Sequence, residues 1–316
     1  AGFVGRHVAR AMLEQGHKVR ALDSLIEQVH SGGGRPDDLD PEVELIVGDI
    51  RDEDKVRQSL KGVDKVLHLA AEVGVGQSMY QIDRYTSVND YGTAVLFQQL
   101  IDNPVKRVVV ASSMSIYGEG LYETQDGELM QDVVRGPRNA DGTWDPKDAQ
   151  GRPLIPVITP ETKQPALKSV YAINKYVQER LTLTLTAQYG MESCALRLWN
   201  IYGPGQALSN PYTGVLAIFA SRISHGQQPM VFEDGQQRRD GADRGRDVVK
   251  RSLGVVAAER LAGTSVVFLA AGFALLAVRP GLGGLGLLVA AVAATAAWPW
   301  LRRLGVRDIG LVWGLS

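Results

Sequence analysis

Ala1-Gly2-Phe3-Val4-Gly5-Arg6-His7-Val8 opens this 316-residue chain and decides how the rest is read. Gly2 and Gly5 stand where the last two glycines of a G-x-x-G-x-x-G turn would, and an amphipathic helix follows to about Gln15. Gly16-His17 ends that helix, and Lys18-Val-Arg-Ala-Leu22-Asp23 has strand character. Glycines at a helix start let a backbone approach a pyrophosphate, because unpaired N–H groups point outward there. Asp23, closing the strand, is placed to accept hydrogen bonds from a ribose 2′-OH and would repel a 2′-phosphate. That favours NAD over NADP. The first glycine and the strand before it are not in the sequence, so the expected sheet lacks its first strand. Two helix-packing glycines and a solvated aspartate would produce the same letters.

Outward from this turn the chain alternates as an α/β domain does. Ser31-Gly-Gly-Gly34 and Pro36 mark a loop, and Val43-Glu-Leu-Ile-Val47 reads as a strand. The strand runs into Gly48-Asp49-Ile50-Arg51-Asp52, where Asp49 and Ile50 are set to flank an adenine. A short helix covers Asp54 to Leu60, and Lys65-Val-Leu-His-Leu-Ala-Ala71 reads as a buried strand. Its small C-terminal residues leave room for a cofactor in the crevice at the strand ends. His68, inside an apolar run, reads as structural. Tyr85 to Ile101 is expected to be helical and carries Asn89-x-x-Gly92-Thr93. Lys106-Arg-Val-Val-Val-Ala111 is the next strand, leading into Ser112-Ser113-Met114-Ser115-Ile116-Tyr117-Gly118.

Chemistry enters at Ser169-Val170-Tyr171-Ala172-Ile173-Asn174-Lys175. Residues four apart share a helix face, so the ammonium of Lys175 is expected beside the phenol of Tyr171. A free tyrosine loses its proton only near pH ~10. A neighbouring cation favours the phenolate and makes the phenol a usable base near neutrality. A solvated Tyr/Lys pair on an exposed face is the alternative. Composition narrows the classes: a net charge of −1 speaks against a nucleic-acid binder, and the lone Cys194 rules out a disulfide framework and fits a reducing compartment. No signal peptide is read at the start.

Together these stretches resemble the extended short-chain dehydrogenase/reductases of the NAD-dependent nucleotide-sugar epimerase/dehydratase type. The matching residues are the shortened glycine turn, Asp23, Gly48-Asp49-Ile50, His68-Leu-Ala-Ala71, Asn89-x-x-Gly92-Thr93, Ser113, Tyr171 with Lys175, and Ala195-Leu-Arg-Leu-Trp-Asn200-Ile-Tyr-Gly-Pro204-Gly-Gln206. Leu25-Ile-Glu-Gln-Val-His30 and the segment 207–222 are most similar to the subgroup that epimerises dTDP-L-rhamnose at C4. The resemblance implies a Rossmann-like doubly wound parallel sheet with a partial substrate domain over 200–240, and a homodimer. It implies NAD held by Gly2, Phe3, Val4, Gly5, Asp23, Asp49, Ile50, Leu69, Ala70, Ala71, Asn89, Tyr171 and Lys175. A nucleotide-diphosphate sugar would meet Ser113, Asn200, Val215, Leu216 and Arg239.

In the implied reaction, Tyr171 takes the proton of a sugar 4-hydroxyl as C4 gives up a hydride, and Ser113 hydrogen-bonds the same oxygen. The 4-keto sugar turns over and takes the hydride back on its other face. Dehydratases of this family carry an Asp-Glu pair after the residue matching Ser113. Met114 and Ser115 stand there, so dehydration is not expected, while a 4-ketoreductase would use the same three residues.

Two further regions stand apart. Residues 122–165 form a polar insertion without apolar periodicity, read as a surface excursion, and it has no Cys or His for a metal knuckle. Beyond Asp240 the resemblance stops: 241–260 reads as a linker and 261–316 as an apolar tail. Leu261 to Val278 and Gly281 to Leu301 are uncharged, each near the ~20 residues that span a bilayer. Flanking Lys250, Arg251, Arg260, Arg302, Arg303 and Arg307 would keep both ends of such a membrane hairpin cytoplasmic, beside a cytoplasmic catalytic domain. A buried helical pair fits the same letters. The sequence therefore leaves two readings, a working 4-epimerase and an inactive, membrane-associated remnant that binds NAD poorly.

Overall fold

A computed structural model describes residues 1–30, 34–201, 203–206 and 215–229, all within one unit, Ala1–Gly241. Helix α1 (Phe3–Glu14) starts on Gly2 and returns to β1 (Arg20–Asp23), which pairs in parallel with β2 (Glu44–Val47). Helix α2 (Glu53–Leu60) forms because Asp52 caps it, its carboxylate accepting from the Asp54 and Lys55 amides, and Glu53 and Asp54 oppose the helix dipole. Next come β3 (Lys65–His68), the short helices α3 (Val75–Ser78) and α4 (Ile82–Tyr85), a π-helical turn (Thr86–Tyr91) and α5 (Gly92–Asp102). Strand β4 (Arg107–Ser113) leads through a 3₁₀ turn (Met114–Tyr117) to β5 (Leu121–Glu123), β6 (Leu129–Met130) and β7 (Ile155–Val157). Helix α6 (Val170–Gln188), β8 (Glu192–Leu198) and α7 (Val215–Ser224) complete the described elements.

The parallel strands fall into two sheets, β1-β2 and β3-β4-β8, so β1 and β3 are each paired on one side only. Neighbouring residues of β1 point to opposite faces, as strand geometry requires. Ala21 joins Ala9, Leu39 and Val43 against α1, whereas Leu22 joins the larger core. That core is built from Val56 and Leu60 of α2 and from Val95, Leu96 and Leu100 of α5. It also takes in Val66 of β3 and Val108 of β4. One layer of helices therefore packs against both sheets, which hold no ladder bonds in common.

Three expectations need correction. The strand over 65–71 ends at His68, and Lys65 and Leu67 are exposed rather than buried, since β3 has a partner along one edge alone. The single helix over 85–101 is three pieces, and in its wider π turn Asn89 is fully buried. The insertion is structured: β6-β5-β7 is an antiparallel sheet with Tyr122, Val133 and Leu154 as its own small core. These apolar residues lie too far apart in sequence to give a period. Two tight turns shape it, with Gly127 at φ 85° and Gly151 at φ 76°, a region that favours glycine. Arg152 ties them together through Asp148 at 2.8 Å and Asp126 at 2.5 Å. At its base the Ala166 amide donates to the Ile116 carbonyl at 2.8 Å, so the excursion leaves and returns at one place.

Among the described residues no helix is long and apolar enough to cross a membrane. The two runs expected to form a hairpin, 261–278 and 281–301, lie outside those residues.

Gly92 tests the junction between α5 and the end of β2. A Cβ there would sit 2.5 Å from Ile50 Cγ2. Gly92→Ala is expected to destabilise the fold by about 1–3 kcal/mol, as overpacking does. Denaturant midpoints should show this, and adding Ile50→Ala should make the pair cost less than the sum of the single changes.

Candidate active site

Ser113 ends β4 and also caps the 3₁₀ turn, its Oγ accepting from the Ser115 amide at 3.2 Å. Tyr171 and Lys175 lie on α6, whose first turn is fixed by Ser169 Oγ accepting from the Ala172 amide at 3.1 Å. Ser78 Oγ accepts from the Tyr171 amide at 3.1 Å and pins the same turn. The three residues converge: Ser113 lies close enough to the Tyr171 phenol to oppose its upward shift, and Lys175 Nζ lies 5.9 Å from the Tyr171 ring centroid.

The electrostatics differ from expectation. Burial pushes the Tyr171 phenol up, and nearby Ser113 opposes this only in part. Lys175 does not lower it, because its ammonium is turned to the Ala111 carbonyl (3.0 Å) and Gln178 Oε1 (2.9 Å). Burial brings Lys175 itself down to about 8.

A polar stripe that sequence reasoning passed over holds this ammonium. Gln178 Nε2 donates to Thr93 Oγ1 at 2.9 Å, and Thr93 Oγ1 donates to the Asn89 carbonyl at 2.6 Å. Thr93 Oγ1 also lies 2.8 Å from His68 Nε2, and Gln178 Nε2 lies 3.2 Å from the same ring nitrogen. The run continues to Asn89, which accepts from the Glu72 amide at 2.7 Å and donates to its carbonyl at 3.1 Å. Asn89, expected at the cofactor, thus clamps the chain beyond β3. The available signal was the spacing of Asn174, Lys175, Gln178, Glu179, Thr182 and Thr186, which puts one polar face of α6 inward.

Around this centre the other expected residues take varied places. Gly2 begins α1 without a side-chain cap, and no acid lies in the first turn, so the amides of Phe3, Val4 and Gly5 face no carboxylate of their own helix. A Cβ on Gly5 would meet Leu69 Cδ1 at 3.7 Å, which sets the glycine turn beside the end of β3. Ala70 and Ala71 follow, half-buried. Asp23 ends β1, its carboxylate accepting from the Leu25 amide at 2.8 Å and lying 3.4 Å from His30 Nε2. The Asp49 carboxylate is paired with Arg51 at 2.7 Å, and Ile50 packs on the main core. Asn200 is exposed just past β8. Val215 and Leu216 open α7, but their side chains, like the whole of Arg239, lie outside the described residues. No group of three His, Cys, Asp or Glu able to hold a metal occurs among the described residues.

Burial of His68 sets a pH dependence. Desolvation, aided by the Lys175 charge, takes its pKa from 6.5 to about 3. The unfolded imidazole binds a proton as pH falls through 6.5 while the folded one does not, so this group's contribution to stability is lost progressively below 6.5. His68→Gln should flatten unfolding free energy against pH between about 4 and 6, by up to ~1.4 kcal/mol per unit. Urea titrations across that range measure it.

The model of the NAD dependent epimerase/dehydratase family matches residues 1–140 and 146–261. The dTDP-L-rhamnose 4-epimerase of Burkholderia thailandensis is 31% identical over 245 residues, covering 76% of this chain and 66% of that protein. The UDP-glucose 4-epimerase of Thermotoga maritima, solved with UDP-glucose, superposes with TM-score 0.57 at 28% identity, covering 75% of this chain and 64% of that one. The Thermus thermophilus UDP-glucose 4-epimerase, solved with NAD, gives TM-score 0.53 at 28% identity, covering 72% and 61%. The chain thus spans about two thirds of the length of these relatives. A family match of that extent, over a serine, tyrosine and lysine brought together at the ends of β4 and α6, makes the chain a member of the NAD dependent epimerase/dehydratase family.

Proposed function

We propose that this chain inverts C4 of a nucleotide-diphosphate sugar, of the dTDP-L-rhamnose class, through a 4-keto intermediate and with NAD as cofactor. The observation that carries the proposal is the convergence of Ser113, Tyr171 and Lys175, with Ser113 near the phenol and Lys175 beside its ring. The residues present suit the cofactor: the uncapped start of α1 suits a diphosphate, and small Ala70 and Ala71 leave room at the strand end. Bound NAD would supply the hydride acceptor and donor. Tyr171 takes the proton from the 4-hydroxyl and returns it, and Ser113 donates to the same oxygen. Lys175 has a third N–H beyond those on Ala111 and Gln178, available for a cofactor hydroxyl. Arg239 and the 207–222 segment would meet the sugar nucleotide. Exposed Tyr91 and Ile173, 54% and 44% accessible, suit coverage by a second copy in a homodimer.

A second reading is a nucleotide-sugar 4-ketoreductase, which would use the same three residues.

Incubation of the full chain with NAD and dTDP-L-rhamnose or UDP-glucose in deuterated water distinguishes these readings. The expected product is the 4-epimer without deuterium at C4, C5 or C6. Deuterium at C5 or C6 would mean dehydration, and a stoichiometric demand for NADH would mean a ketoreductase. Absence of both turnover and NAD binding would refute the proposal. Tyr171→Phe should lower turnover by about 10²–10⁴-fold, and Ser113→Ala by less, because it leaves the base in place.

Cofactor choice gives an independent check. Asp23→Ala should narrow a preference for NAD over NADP, read by calorimetric titration with each dinucleotide. Equal binding of both by the unchanged protein would refute the role given to Asp23.

A further inference from the structure

Asp90 on the π turn and Asn174 on α6 are joined by one hydrogen bond, Asn174 Nδ2 donating to Asp90 Oδ2 at 2.8 Å. The other oxygen of each, Asp90 Oδ1 and Asn174 Oδ1, is buried and has no hydrogen-bond partner among the described residues. Buried acceptors are ordinarily paired, so two of them on bonded neighbours call for one physical cause. An ionised carboxylate only accepts, and so cannot serve an amide oxygen. Turning the amide over does not mend this, because its oxygen would then face the carboxylate. A proton on Asp90 mends both: the acid O–H donates to Asn174 Oδ1 while the amide N–H donates to Asp90 Oδ2. Carboxyl and amide then close into a ring of two hydrogen bonds, and neither oxygen is left over.

We infer that Asp90 is a carboxylic acid in the folded protein near neutral pH, and that its acid–amide pair with Asn174 is a proton-bearing latch that positions α6. Asp90 follows Asn89, which holds the backbone at Glu72, and Asn174 precedes Lys175. The latch therefore ties the clamp beyond β3 to the helix that carries Tyr171 and Lys175. Its bearing on catalysis rests on the epimerase reading, whereas the proton does not. Helices α4, α5 and α6 pack on the π turn. On α4, Arg84 pairs with Glu72 at 2.8 Å and Asp83 is exposed; Asp102 closes the far end of α5. Helix α6 brings Tyr171 and Lys175, the latter turned to Ala111 and Gln178. Arg51, which reaches Ser87 of the same turn at 3.0 Å, is paired with Asp49 at 2.7 Å. No cation among the described residues bonds Asp90, so no opposite charge offsets the cost of burying its own. Burial pushes the carboxyl up, and the Asn174 N–H opposes this only in part.

The test reads the proton directly and needs no turnover. The full chain is produced with aspartate carrying ¹³C in its side-chain carboxyl, and infrared spectra are taken at pH ~6, about two units above the ordinary carboxyl value. An aspartic-acid C=O band, displaced by the label, should appear there and vanish in Asp90→Asn. Asn174→Ala should move it to higher frequency, since the carboxyl loses its N–H donor. The buried carboxylates Glu72 and Glu179 carry no label and are held by Arg84 and Arg197. Stability gives a second reading. Because the folded pKa lies above the unfolded one, the group's contribution is present below the unfolded value and is lost as pH rises through the folded one. The urea midpoint of the unchanged chain should therefore fall relative to that of Asp90→Asn, which keeps both bonds at every pH, between about pH 4 and 7. His68 is common to both proteins and cancels. A carboxylate at Asp90 under the infrared conditions, an acid band indifferent to Asn174→Ala, or midpoints that run parallel would overturn the proposal. Failure to epimerise any nucleotide sugar would refute the proposed function and leave the band in place.

Discussion

A buried ammonium sets the terms for the centre of this molecule. Lys175 is 4% exposed, and a cation there is tolerable only where oxygens surround it. One comes from the backbone at Ala111, near the end of β4, and one from Gln178, a turn further along α6. Gln178 can present its oxygen only if its nitrogen is occupied, which requires Thr93, and Thr93 requires the Asn89 carbonyl. The need to solvate one charge thus fixes side chains on three elements, and through Asn89 it fixes the backbone at Glu72 beyond β3. Removing any member leaves a buried donor or acceptor unmet, so the network stands as a unit.

The helical layer has an equally clear physical task. Leu22 of β1 and Val66 of β3 belong to sheets that share no ladder bonds, yet both pack on the core formed by α2 and α5. Side-chain packing does here what backbone hydrogen bonding does within a sheet. Gly92 permits it, since Ile50 occupies the space a side chain would fill.

Much of this was legible in the sequence where a local rule sufficed. The Tyr171–Lys175 spacing, the helix after Gly5 and the strands ending at Asp23 and Ser113 follow from short-range preferences. What was not legible depended on pairing across the chain. Nothing near Thr124 announces that Tyr122 will pack with Leu154, so the insertion read as unstructured. The phenol shift went the wrong way for a similar reason. Sequence spacing brings a cation near Tyr171 but does not say that Ala111 and Gln178 will claim its protons. Nor does any local pattern announce the π turn in which Asn89 is buried.

The hydrogen bond between Ala166 and Ile116 has a consequence for how such a chain can change. It closes the neck of the small antiparallel sheet between Ser113 and Tyr171, so the base and its partner are joined across that neck rather than around the excursion. Because the three-stranded unit has its own core and its own cross-link through Arg152, it behaves as a graft. Lengthening it, trimming it or exchanging it for another module would leave Ser113 and Tyr171 where they stand.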